Sequence, residues 1–175
     1  AMRDSADQGV APYDMWQGSM MANSARDPFW HAMVSAEVHA TESRKAEIEA
    51  TCMRCHAPMA SESARKMLER EPRMADLRDS SGVGQLGRDG VACATCHQIQ
   101  PSPALGGQAS FSGGFEIGER RVIFGPHRNP VTGPMQHHVD YTPFFGPHMT
   151  TSAVCATCHT LVTHAKDLGH LSDIA

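Results

Sequence analysis

The pentapeptide Cys-x-x-Cys-His occurs three times in this chain of 175 residues and takes up all six of its cysteines. The copies read Cys52-Met53-Arg54-Cys55-His56, Cys93-Ala94-Thr95-Cys96-His97 and Cys155-Ala156-Thr157-Cys158-His159. Two thiols three positions apart, followed at once by an imidazole, form the attachment signature of c-type haem. The spacing follows from the chemistry: the thiols add across the two vinyl groups of one porphyrin, and the adjoining His reaches the iron from the same side. Cys52, Cys55, Cys93, Cys96, Cys155 and Cys158 are therefore expected to bind three haem c groups, with His56, His97 and His159 as proximal iron ligands. No fold that ignores three large, flat, apolar bodies is open to such a chain.

Other uses of paired cysteines fit less well. A zinc ribbon brings two Cys-x-x-Cys pairs onto one ion and has no need of a His after each. A thioredoxin-like motif is single and sits in a βαβ pattern. Disulfides within the pairs would be strained and would staple nothing.

Aromatic residues make up only 6% of the chain, a thin supply of large core side chains. Haem supplies what they do not. Burying on the order of a few hundred Å² of each porphyrin contributes roughly 10 kcal/mol at about 25 cal/mol per Å². The haems are then expected to be the core and the polypeptide a coat, so that the apoprotein does not fold. The formal charge of −4 argues against a nucleic-acid partner. No apolar run approaches the length of a transmembrane helix. Ala1 to Pro12 lacks the apolar stretch of a signal peptide. Since haem is attached outside the bacterial cytoplasmic membrane, the expected location is periplasmic or extracellular, with the export signal not part of this sequence.

The expected fold is mostly α with long irregular loops and few or no strands, wrapped around a stacked haem core. Its length favours one domain over residues 1–175, with residues 1–22 as a lead-in, extended or loosely helical. Asp27 as cap, Pro28 in the first turn and Trp30, Val34 and Val38 at intervals of four predict a helix that continues towards the first motif. A second helical run is expected over about Ser61 to Leu77, broken near Pro72, and a short helix over Asp89 to Gln98. Pro101 to Gly118 reads as a loop. Arg120 to Phe124 is the one plausible strand, and prolines punctuate the chain from there to Met149. Phe124-Gly125-Pro126-His127 recurs as Phe145-Gly146-Pro147-His148.

Eleven histidines less three proximal ones leave eight that could be distal ligands: His31, His39, His127, His137, His138, His148, His164 and His170. On a straight helix His39 would lie about 25 Å from His56, out of reach of the same haem but within reach of another. The favoured distal candidates are His39, His137 and His148, with His31, His127 and His138 next. Met20, Met21, Met135 and Met149 are alternative sixth ligands, although gap-filling against porphyrin explains them more simply.

Together these motifs resemble the multihaem cytochromes c, and most closely the tetrahaem cytochromes of hydroxylamine oxidation and related long multihaem proteins. The resembling segments are Asp89-Gly90-Val91-Ala92-Cys93 through Cys96-His97-Gln98-Ile99, then Phe124-Gly125-Pro126 on to Ser152-Ala153-Val154-Cys155 and His159-Thr160-Leu161, about half of the chain. Such relatives carry a His shortly before a Tyr-Ser/Thr-Pro step. That resemblance favours His137, which precedes Tyr141-Thr142-Pro143, over His138. There is no fourth motif, so the chain is either a trihaem protein or a piece of a longer one. The resemblance implies bis-histidine haems that relay electrons between a donor and an acceptor protein. No nucleophile motif or phosphate loop is present, and an electron carrier is expected rather than an enzyme. Two alternatives stand beside it. One is a haem enzyme with one open iron site acting on a small nitrogen or peroxide substrate. The other is a subunit of an extracellular cytochrome filament or of a membrane redox complex.

Overall fold

A computed structural model describes residues 2–80 and 82–162. The described chain is mostly helical with few strands. It groups into two compact units, Ala1–Thr95 and Cys96–Ala175, which are taken in turn.

The lead-in contains two short helices, α1 (Pro12–Trp16) and α2 (Met20–Asn23). They are tied down by long-range bonds: Trp16 Nε1 donates to the Val91 carbonyl at 3.0 Å, and Val91 N donates to the Met21 carbonyl at 2.9 Å. Helix α3 (Pro28–Ala40) begins as expected, with the Asp27 carboxylate accepting from Phe29 N at 2.9 Å and Pro28 in the first turn. It buries Trp30 and Val34 on one stripe.

The straight helix expected from Asp27 into the first motif is not formed. Thr41 leaves the helical region at φ −140°, ψ 64°, a tight turn covers Glu42–Arg44, and α4 (Lys45–His56) starts afresh. The β-branched Thr41 sits where the last turn of α3 closes, and an Arg44–Glu47 ion pair opens α4. Because Trp30 lies against His56, α3 and α4 fold back as an antiparallel hairpin. His39 therefore stands at the opposite end of that hairpin from His56, about 14 Å along α3 from Trp30.

Ala57 precedes Pro58 and lies outside the helical region at φ −137°, ψ 56°, which ends α4 at the motif and lets α5 (Pro58–Met67) begin afresh. The second helical run thus starts earlier than expected and stops before Pro72. A short 3₁₀ turn, Met74–Arg78, comes next. Helix α6 (Gly82–Arg88) packs close to α5 because Gly87 has no side chain: a Cβ there would stand 2.7 Å from the Cβ of Ala60. The core joins Ala25, Trp30, Val34, Met53, Ala57, Ala60, Leu77 and Val83.

Helix α7 (Cys93–Gln98) carries the second motif. In the second unit the expected loop after Pro101 is held by an antiparallel bridge, Ile99 to Ile117, and by Gln100 N donating to the Glu116 carbonyl at 2.8 Å. Strand β1 (Val122–Gly125) matches the expected strand, starting two residues later and ending one later.

A second strand went unread in the sequence. β2 (Thr142–Phe145) pairs in parallel with β1, Phe124 opposite Phe144 and Gly125 opposite Phe145. Pro143 is tolerated because only one edge of β2 is paired. The crossover between the strands holds α8 (Gly133–Val139), as parallel pairing requires. It is closed by Asp140 at φ 56°, and Arg121 donates to the Val139 and Asp140 carbonyls at 2.9 and 3.1 Å. The third motif ends α9 (Ala153–His159). Ile99, Phe115 and Val154 form the small core of this unit.

The loop after α5 is fastened by Asp76, which takes a two-pronged bond from Arg70 at 2.7 and 2.9 Å and a third from Arg73 N at 2.8 Å. The Arg70 guanidinium holds the Asp76 carboxyl below its ordinary value of 3.8. A carboxylate whose pKa is depressed by folding adds stability above its unfolded pKa, and that stability is lost as the pH falls through the folded value. Thermal unfolding of the protein should therefore drop below about pH 4, and Asp76→Asn, costing about 1–3 kcal/mol at neutral pH, should flatten that part of the profile.

Candidate haem sites

Each Cys-x-x-Cys-His closes a helix. His56 is the last residue of α4, His97 the last but one of α7, and His159 the last of α9. Positions i, i+3 and i+4 of a helix share one face, so each motif presents two thiols and an imidazole side by side. Cys93 and Cys155 are exposed, whereas Cys52, Cys55, Cys96 and Cys158 are half-buried.

The first motif is the most deeply set. Cys52 packs against the first core and Met53 is fully buried. Burial pushes the Cys52 thiol above its ordinary pKa, and the carboxylates of Glu37 and Glu49 push it the same way. Arg54, inside the motif, is buried in an ion pair with Glu62. The Ser24 hydroxyl donates to the His56 carbonyl at 2.8 Å, satisfying an acceptor at the helix end. The His56 ring stacks on Trp30, with centroids 4.7 Å apart and planes 6° from parallel. Burial lowers the His56 pKa, against smaller opposing effects of the Ser24 main chain and Asp27. This imidazole is therefore biased towards the neutral form that metal ligation requires.

The second motif holds its imidazole differently. His97 Nδ1 lies 2.6 Å from the Phe124 carbonyl on β1. A carbonyl oxygen only accepts, so Nδ1 carries the proton and the lone pair of the neutral ring is on Nε2. That is the arrangement metal-bound histidines use, with the second nitrogen donating to a fixed acceptor.

Cys96 of the second motif and Cys158 of the third pack against the same cluster of Ile99, Phe115 and Val154. His159 is exposed. The carbonyls at the end of α9 are met from the loop before β1, where Gly113 N donates to the Thr157 carbonyl at 2.6 Å and Ser112 N to the Thr160 carbonyl at 2.9 Å. Ser112 and Gly113 reach them with φ of 55° and 81°.

Of the favoured distal candidates, His148 alone is buried; His39 is exposed on α3 and His137 on the last turn of α8. His127 and His138 are exposed too. His31 is half-buried, its Nε2 at 2.9 Å from the Ala25 carbonyl. His164 and His170 lie outside the described residues. The repeated Phe-Gly-Pro-His segments leave adjacent strands, yet only the second ends in a buried histidine. His148 Nε2 donates to the Ile99 carbonyl at 3.0 Å, which leaves the lone pair on a buried Nδ1 that has no hydrogen-bond partner. The Phe124 ring meets it edge-on at 5.1 Å. His148 lines an open cleft of about 440 Å³ together with Pro101, Pro103, Leu105 and Pro147. Ligation through Nε2 requires the bond to Ile99 to break. Met149 packs against the second core, whereas Met20, Met21 and Met135 are exposed.

Three contributors went unread in the sequence. Trp30 was legible only as an apolar helix position, and nothing in the chain marked it as the face on which His56 rests. The Phe124 carbonyl is main chain and carries no residue signature. Glu49 stands in the sequence only as one helix former among several, but it is buried and accepts from Met74 N at 3.1 Å.

No family model matches the chain, and no curated protein or solved structure does. Among the described residues no three His, Cys, Asp or Glu side chains gather closely enough to hold a metal ion. No described helix is long and apolar enough to cross a membrane.

Gly146 is what lets the His148 ring sit where it does. A Cβ at this position would stand 2.6 Å from His148 Cε1 and 2.9 Å from Phe124 Cβ. Gly146→Ala should displace the imidazole, break its bond to Ile99 and cost about 1–3 kcal/mol. Thermal denaturation beside Gly125→Ala, where a Cβ meets nothing within 4 Å, is the check: equal losses in the two variants would refute a steric role for Gly146.

Proposed function

We propose that this chain is an electron-transfer protein of multihaem cytochrome c type, carrying three covalent c-type haems in a periplasmic or extracellular setting. Cys52, Cys55 and His56 would hold one haem, Cys93, Cys96 and His97 the second, and Cys155, Cys158 and His159 the third. Bound there, haem supplies a one-electron iron couple whose potential follows ligation, burial and nearby charge.

The observation that carries this reading is His97. Its Nδ1 proton is committed to the Phe124 carbonyl, which turns an Nε2 lone pair outward on the same helical face as Cys93 and Cys96. The donor chemistry also fits. Porphyrin iron brings four nitrogens of its own and asks the chain only for axial ligands, so no ready-made cage of side chains is needed. Large apolar side chains left in the open, Met20 at 81% and Phe29 at 71% exposed among them, agree with a polypeptide that coats apolar cofactors. The shared cluster beneath Cys96 and Cys158 favours neighbouring haems in the second unit, as an electron relay requires.

A second reading, favoured by the open cleft beside His148, is a haem enzyme that admits a small nitrogen or peroxide substrate to one iron. Uniformly low-spin electron paramagnetic resonance of the oxidised protein, unchanged by cyanide, would exclude it.

Expression in a host that matures cytochromes c tests the main proposal. Intact mass under denaturing conditions should show three haems, and Cys93→Ala/Cys96→Ala should retain two. A wild-type chain recovered from such a host without covalent haem would overturn the proposal.

A further inference from the structure

We propose that Trp30 is a positioning residue for His56, and that it sets the reduction potential at the first motif above that at the second. The inference rests on the reading of the three motifs as haem sites.

The two imidazoles are held by different physics. His97 is oriented by a hydrogen bond from Nδ1 to a main-chain carbonyl at 2.6 Å. His56 Nδ1 is buried and has no hydrogen-bond partner. Its ring is oriented by a face: the Trp30 indole, parallel to within 6° at 4.7 Å. Trp30 is only 6% exposed and is itself held by its neighbours. It sits in the core with Ala25, Val34 and Met53, and the His31 ring meets it at 4.9 Å and 69°. His31 is locked in turn by its Nε2 bond to the Ala25 carbonyl. The sequence offers His31 as an iron ligand; in the structure its ring meets the Trp30 indole edge-on.

The two arrangements differ in consequence. A proton donated from Nδ1 makes the opposite nitrogen a stronger electron donor, and a stronger donor favours oxidised iron. His97 has that assistance at 2.6 Å, whereas His56 Nδ1 meets no acceptor within hydrogen-bond distance. Water does not supply one either, since Nδ1 is buried in the packed surroundings that Trp30 helps to build. The first motif is thus the place where an electron comes to rest more readily.

The test uses the mature holoprotein and three variants. Trp30→Phe keeps an aromatic face, Trp30→Leu removes it, and Val34→Ala disturbs the same core without touching His56. Intact mass confirms three haems in each. Optical redox titration then reads the three midpoint potentials, and the one belonging to the first motif is that lost in Cys52→Ala/Cys55→Ala. In the wild type it should lie above the potential lost in Cys93→Ala/Cys96→Ala. Trp30→Leu should lower it and broaden one low-spin resonance signal, leaving the other two potentials in place. Trp30→Phe should stay near the wild type, and Val34→Ala should lower the unfolding temperature with no change in potential. If Trp30→Leu does not fold, Trp30→Met carries the same comparison. The proposal fails if the ringless variant, with three haems bound, leaves every potential unchanged, if Val34→Ala shifts the same potential as far, or if the first motif lies below the second. Wild-type protein without haem would instead remove the parent reading, and mass alone tells that case apart.

Discussion

The feature on which most of this structure depends is that each pentapeptide forms the closing turn of a helix. Only there do two thiols and an imidazole at i, i+3 and i+4 stand on one face with the chain free to turn away behind them. A closing turn exposes carbonyls that need partners. The chain answers this three times with different material: Ser24 reaches the His56 carbonyl, Ile99 N returns to Cys96, and the Ser112-Gly113 turn meets Thr157 and Thr160. Breaks that would be faults in an ordinary helix fall here directly after the motifs. Pro58 directly after the first motif is the clearest, because it forces Ala57 out of the helical region as soon as His56 has been placed.

Behind the motifs the two units solve packing in different ways. The first is built from small residues. Ala57, Ala60 and Ala64 are fully buried, and Gly87 lets α6 close on them, so that helices approach until there is room for few large side chains besides Trp30 and Met53. The second has little core of its own and relies on the β1–α8–β2 crossover, which Arg121 fastens by gripping the last carbonyls of α8 while its guanidinium covers Tyr141 at 4.6 Å. Tyr141 then bonds to Gln98, next to His97, at 3.1 Å.

Much of this was legible in the sequence, and what was not has identifiable causes. The cap and first turn of α3 could be read because Asp27 and Pro28 act locally, and the motif turns could be read because their chemistry dictates their spacing. The end of α3 at Thr41 could not, since good helix formers lie on both sides and the break depends on α4 folding back. Strand β2 was hidden by Pro143, a breaker only where both edges of a strand are used. For the histidines, sequence supplies the candidates and the fold supplies the sorting. His127 and His148 share the same four-residue segment, yet one is exposed and the other buried, because only the second is followed by a turn that tucks under Phe124 and Ile99.

The unequal depth of the cysteines bears on the order in which such a molecule can be finished. Cys93 and Cys155 still face outward once their helices exist, but Cys52 lies against the packed hairpin of α3 and α4. Under the proposed reading, attachment at the half-buried Cys52 competes with closure of that hairpin and of the Trp30–His56 stack. Of the two units, the first precedes the second along the chain and is delivered before it. Timing would then bear most on the first motif, where a thiol packs against the core and the imidazole stacks on one of its members.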